Sequence, residues 1–219
     1  MILQKKTLLF TQMFKLKKQP YKSVLISCKS QEILSDTFMR FQEHYESPYW
    51  ADKVFTIGQY KKWYSENRGG DTYRLDWKGF NFPSYVLKPF RDGLFDPLTE
   101  NEKSILDLLK YRTDNFYVIG SNTNDVLKHE LCHSLFYFSE EYRNKIIEII
   151  NQNKSKLKKA ADYLIKLGYH KKVIHDELQA YILDNDGFFE EKKIEIPRVV
   201  IQNIFKINKD FSRRYKNNT

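Results

Sequence analysis

The residues of this chain best equipped by type and spacing to do chemistry are His129-Glu130-Leu131-Cys132-His133. On a helix, side chains four apart stack one turn above each other. Both imidazoles can therefore reach one cation, while the intervening carboxylate points toward the ion's open side. The flanking Val126, Leu127, Leu131, Cys132, Leu135, Phe136 and Phe138 predict a helix buried on most of its circumference. Burying two imidazoles and a carboxylate is costly unless each is satisfied, and a divalent cation satisfies all three. The alternative is a pair of core histidines hydrogen-bonded to protein groups.

A catalytic zinc takes three protein ligands and keeps a further position open, so another donor is required. Downstream the chain reads Val173-Ile174-His175-Asp176-Glu177-Leu178-Gln179-Ala180-Tyr181. On a helix Glu177 shares a face with Val173, Ile174, Ala180 and Tyr181, so it is a carboxylate on an apolar stripe and needs a partner. That partner is either the metal or a Lys or Arg of the final helix. Asp176 and His175 compete for the ligand role on more mixed faces, and either could instead hold the second ring nitrogen of a ligating histidine. Cys132 is rotated away from the histidine edge by about 100° per residue and reads as a small buried hydrophobe.

These residues need elements to position them. Ser23 to Cys28 is a β-branched run suited to a buried strand, and Phe116 to Gly120 is a second one. Helices are expected over Gln31 to His44, after a Thr56 cap through Tyr64, and from the capping box Thr99/Glu102 through about Tyr111. Thr72 to Trp77 and Ser84 to Leu87 read as extended segments around an aromatic turn, Trp77 to Ser84. The second half is almost wholly helical: Asn124 to Phe138, Glu140 to Gln152, Ser155 to Leu167, His170 to Leu183, and a last helix from Pro197 to about Tyr215 with Val200, Ile204, Ile207 and Phe211 as its stripe. Strands first and helices after make the fold class α+β. A mixed α/β region with a small sheet spans about residues 1–120, and a helical region with the metal site about 121–219.

The 219 residues, 41% hydrophobic and 16% aromatic, suffice for one sizeable core, and a single domain over 1–219 is expected. Eight Gly and six Pro form no linker-like tract. The net charge of +9 raises an acidic partner such as nucleic acid. The lysines are scattered, however, and no nucleic-acid motif accompanies them, so a solvated surface is the simpler reading. Cys28 and Cys132 cannot make a disulfide framework, which suggests a reducing compartment. Thr7 to Phe14 is interrupted by Thr11 and Gln12 and reads as a strand or short helix rather than a signal peptide. No stretch approaches the roughly 18 apolar residues of a membrane span. The expected location is cytoplasmic.

The motif and the later Glu177 together resemble the zincin superfamily, specifically its Glu-ligand branch, the gluzincins. The resemblance covers roughly residues 115 to 185. In place of a third histidine of the metzincin kind, this chain runs Ser134 to Ser139. The resemblance implies a zincin-like fold in which His129, His133 and Glu177 bind Zn²⁺ and Glu130 is the general base. It also implies that a phenol such as Tyr181 donates to the developing oxyanion, and that Phe116 to Gly120 is an edge strand accepting an extended peptide by β-augmentation. The expected activity is that of a metallopeptidase acting on a peptide or protein substrate. The alternatives are a zincin-fold hydrolase of a non-peptide substrate, an inactive metal-binding protein, and a basic nucleic-acid-binding or interaction protein whose histidine pair is incidental.

Overall fold

A computed structural model describes residues 13–184 and 187–216. Thr7 to Gln12, read above as part of a strand or short helix, lie outside the described residues. The chain resolves into two compact units, Met1–Leu127 and Lys128–Thr219.

In the first unit the apolar run around Val24, Leu25 and Ile26 forms β2 (Ser23–Cys28), buried along nearly its whole length. It pairs antiparallel with β1 (Phe14–Gln19) and parallel with β4 (Tyr117–Ser121). β4 in turn pairs antiparallel with β3 (Gly79–Pro83), which gives a mixed sheet of order β1-β2-β4-β3. The strand expected at Phe116 to Gly120 is therefore interior, hydrogen-bonded on both sides. It has no free edge for an extended substrate, and that expectation is corrected.

Helix α1 (Gln31–Glu46), capped by Ser30, lays Leu34, Phe38 and Phe41 in the core. Gly120 of β4 is required beneath it, since a Cβ there would lie 2.7 Å from the Phe38 ring. Helix α2 (Ile57–Arg68) opens on the expected cap, with Thr56 and Gln59 closing a capping box.

The reading of residues 72–87 is reversed by the structure. Thr72 to Trp77 is not extended but carries a helical turn, α3 (Tyr73–Asp76), held where the Tyr64 and Thr72 hydroxyls both donate to Asp76. The aromatic turn is instead strand β3, whose Phe80 and Phe82, two apart, both point into the core. Pro83 is tolerated because it ends an edge strand. Ser84 to Leu87 then curls into a 3₁₀ turn (Ser84–Val86) and α4 (Leu87–Arg91). The Thr99/Glu102 capping box opens α5 (Glu100–Leu108). Buried Glu102 also accepts from Arg40 Nε at 2.7 Å, tying α5 to α1.

The second unit is helical throughout its described residues. Helix α6 (Leu127–Phe138) is followed by α7 (Glu140–Gln152), α8 (Lys154–Leu167), a 3₁₀ turn (Lys171–Val173), α9 (Ile174–Asp184), the short α10 (Phe188–Glu191) and α11 (Arg198–Lys216). Ser139 alone separates α6 from α7, and its hydroxyl accepts from Tyr142 N–H as the cap of α7. Arg143 donates back to the carbonyls of Phe136 and Tyr137, closing the end of α6. Helix α9 is central: it packs against α7, α8 and α11 and buries Ile174, Leu178, Ala180, Ile182 and Leu183. The architecture is α+β with a small mixed sheet, and no helix among the described residues is long and apolar enough to cross a membrane.

Glu43 on α1 is a buried acid in the first unit, faced by the hydroxyls of Ser47, Tyr60 and Tyr73 and by the Arg68 charge. Burial raises its pKa from 4.5 to about 7, although those groups pull the other way. The folded state thus holds a proton that the unfolded chain releases between about pH 4.5 and pH 7, so stability falls as pH rises through this window. The fall is on the order of 3 kcal/mol. Urea titrations of the wild type at pH 5 and pH 8 should show it, and Glu43→Gln should flatten it; an equal slope in the variant would remove Glu43 as the cause.

Candidate metal centre

The three donors come from two helices of the second unit. His129 and His133 sit one turn apart on α6, with ring centroids 4.9 Å apart. Across from them, α9 presents Glu177. Its Oε2 lies 3.8 Å from His129 Nε2, and its Oε1 3.8 Å from His133 Nε2. One donor atom from each residue falls within 4.8 Å of the others, a spread that a single ion can bridge. The His133 and Glu177 side chains are only 2% and 3% exposed, and that of His129 is 12% exposed, so the group opens on the His129 side.

The donor set fits a metal on a specific observation: Glu177 Oε2 is buried without a hydrogen-bond partner. An ionised oxygen in that condition costs several kcal/mol unless a cation meets it. The other edges of the imidazoles are occupied by acids. His133 Nδ1 is 2.9 Å from Asp176 Oδ1, and His129 Nδ1 is 3.8 Å from Asp184 Oδ2. Both rings therefore turn Nε2 toward Glu177 with an acid behind each, and at His133 the acid is close enough to accept from Nδ1, the arrangement that orients a ligating imidazole.

Asp176, the alternative third ligand, thus faces the back of His133 rather than the donor group. His175 points elsewhere, with Nε2 3.1 Å from Asn151 Oδ1. Glu130 is buried on α6 between the two histidines. Tyr181 places its ring edge-on to His129 at 4.7 Å, stacks on Phe188 at 4.2 Å, and holds its hydroxyl 2.9 Å from that of Tyr169. Cys132 is buried with Sγ donating to the Lys128 carbonyl, and burial pushes its thiol pKa up, which suits neither ligand nor nucleophile.

Two participants were missed in the sequence. Asp184 lies seven residues after Glu177, two turns along the same face, a spacing that could have singled it out. Tyr169 precedes α9, and nothing local marks it as the partner of Tyr181.

Comparison of the chain with protein-family models, curated proteins and solved structures gives no match.

In the metal-free protein burial disfavours the charged His133 imidazole. The carboxylates of Asp176, Glu177 and Glu130 outweigh it and hold the pKa well above its usual value. A metal must displace that proton, so zinc affinity should strengthen with pH by about tenfold per unit for each proton released. Chelator-buffered titrations of metal-free protein between pH 6 and pH 8 measure this. Near one zinc per chain with that slope is expected; a flat profile would mean that no imidazole proton is exchanged.

Proposed function

We propose that this chain is a zinc-dependent metallopeptidase of the gluzincin kind, with a zincin-like arrangement of its metal helix and ligand helix, acting on peptides or proteins in the cytoplasm. The observation that carries the proposal is the orphaned Glu177 oxygen facing the Nε2 atoms of a histidine pair spaced one turn apart. A structural zinc site closes its coordination with four protein donors, whereas three donors leave a position for chemistry.

His129, His133 and Glu177 would hold the zinc. When bound, the ion supplies Lewis acidity that polarises a substrate carbonyl and acidifies water. Glu130 is the chain's own base: its carboxylate takes a proton from the attacking water and can return it to the leaving amine. Tyr181, whose ring lies edge-on to His129, would donate to the charge that develops on the carbonyl oxygen. Asp176 would hold the His133 imidazole through its Nδ1 hydrogen bond, while Asp184 adds negative charge 3.8 Å behind His129.

Glu130→Gln separates binding from chemistry, because the amide keeps the shape of the side chain but cannot accept a proton. The variant should retain one zinc per chain and lose roughly 10²- to 10⁴-fold in turnover of a quenched-fluorescence peptide library. Turnover at the wild-type rate would take Glu130 out of the mechanism, and a zinc-loaded wild type that cleaves no peptide would sink the peptidase reading.

A further inference from the structure

Behind His133 the hydrogen bonds continue. Asp176 Oδ1 accepts from His133 Nδ1 at 2.9 Å and also from Gln179 Nε2 at 3.0 Å. Gln179 Oε1 accepts from the Tyr142 hydroxyl at 2.8 Å, and the Tyr142 oxygen accepts from Asn208 Nδ2 at 3.2 Å. The series runs from α6 through α9 and α7 to α11. Gln179 and Tyr142 are fully buried, so water cannot stand in for either.

The bond directions follow from the acid end. Asp176 Oδ1 accepts from Gln179 Nε2, which leaves Gln179 Oε1 to accept from the Tyr142 hydroxyl, whose oxygen in turn accepts from Asn208 Nδ2. An amide assigned by its network in this way has one orientation rather than two. Asp176 receives two N–H donors on one oxygen, which fixes the Nδ1 edge of the His133 ring against it. His133 Nε2 is then the ring nitrogen turned toward Glu177 and the donor group.

We infer that Gln179, Tyr142 and Asn208 form a one-way hydrogen-bond relay that positions His133 for the metal, which makes Tyr142 and Asn208 of helix α11 remote positioning residues of the metal centre. The inference rests on the metal-centre reading above, and it extends that site to two residues that touch no ligand. Tyr142→Phe removes the proton that orients Gln179, leaving a buried Oε1 without a donor and the amide free to turn its oxygen toward Asp176. Asn208→Ala acts one link further out, at a half-buried position on α11.

The test is a double-mutant cycle read as zinc affinity by chelator competition, with the visible absorption of Co²⁺-loaded protein as a second readout. Tyr142→Phe should still take up one metal per chain but bind it about tenfold more weakly, with an altered Co²⁺ spectrum, and Asp176→Asn should weaken it by about 10- to 100-fold. In the Asp176→Asn background, Tyr142→Phe should cost nothing further, since the path to His133 is already cut. A purely structural Tyr142 would give the same loss in both backgrounds, and additive losses would overturn the relay. If Tyr142→Phe does not fold, Asn208→Ala replaces it in the cycle, with an expected weakening of about two- to fivefold. Wild type that binds zinc while the single variants match its affinity defeats the relay alone; wild type that binds no zinc defeats the metal centre with it.

Discussion

A carboxylate shut away from water with one oxygen unpaired is the constraint on which the second unit depends. Glu177 is 3% exposed and faces two imidazole nitrogens at 3.8 Å, beyond hydrogen-bond reach of either. A buried oxygen left unpaired in that position is costly unless a positive group meets it. In the metal-free chain the nearest source is a proton on His133, which the surrounding acids retain well above the usual imidazole pKa. A divalent ion would meet the same demand with all three donors at once. Proton and ion would then compete for one site, which would tie metal affinity to pH.

The consecutive acids Asp176 and Glu177 serve opposite edges of one ring. Neighbours on a helix diverge by about 100°, so a single helix can offer Glu177 to His133 Nε2 and Asp176 to His133 Nδ1. Asp184, two turns on, returns to the same face and stands behind His129. All of these side chains hang from α9, and their positions are only as good as the seating of that helix. Its apolar residues are packed by α7, α8 and α11, and it buries Gln179 as well as Leu178 and Ala180. A helix buried on nearly every side has little freedom to rotate, and that immobility is what a metal-ligand geometry needs.

What could be read in the sequence followed from interaction range. The histidine spacing on α6, the lone acid on the apolar stripe of α9, and the Thr56 and Thr99 caps are local patterns, legible because their partners lie within a turn or on the same face. Strand β3 was hidden because Gly79 and Pro83 look like turn punctuation, while the pairing that makes Phe80 and Phe82 a buried strand comes from β4, distant in sequence. The interior position of β4 was equally illegible, since strand order is set by tertiary pairing and not by the pattern of any one strand. Tyr142, Gln179 and Asn208 carry no motif: the bonds that join them span 37 and 66 residues.

The density of acids around this site also bears on stability. Glu130, Asp176 and Glu177 all act on His133, and Asp184 stands by His129, so the unit keeps several acids close together around two imidazoles. Like charges at such separations repel, and burial denies them solvent screening. An ion bound by His129, His133 and Glu177 would reverse the sign of the local field and cross-link α6 to α9. An ion that bound the folded chain and not the unfolded one would add about 4 kcal/mol when present at a thousandfold over its dissociation constant. The acids that would poise the site for chemistry are thus the same residues that crowd His133, and an ion held among them would offset their mutual repulsion.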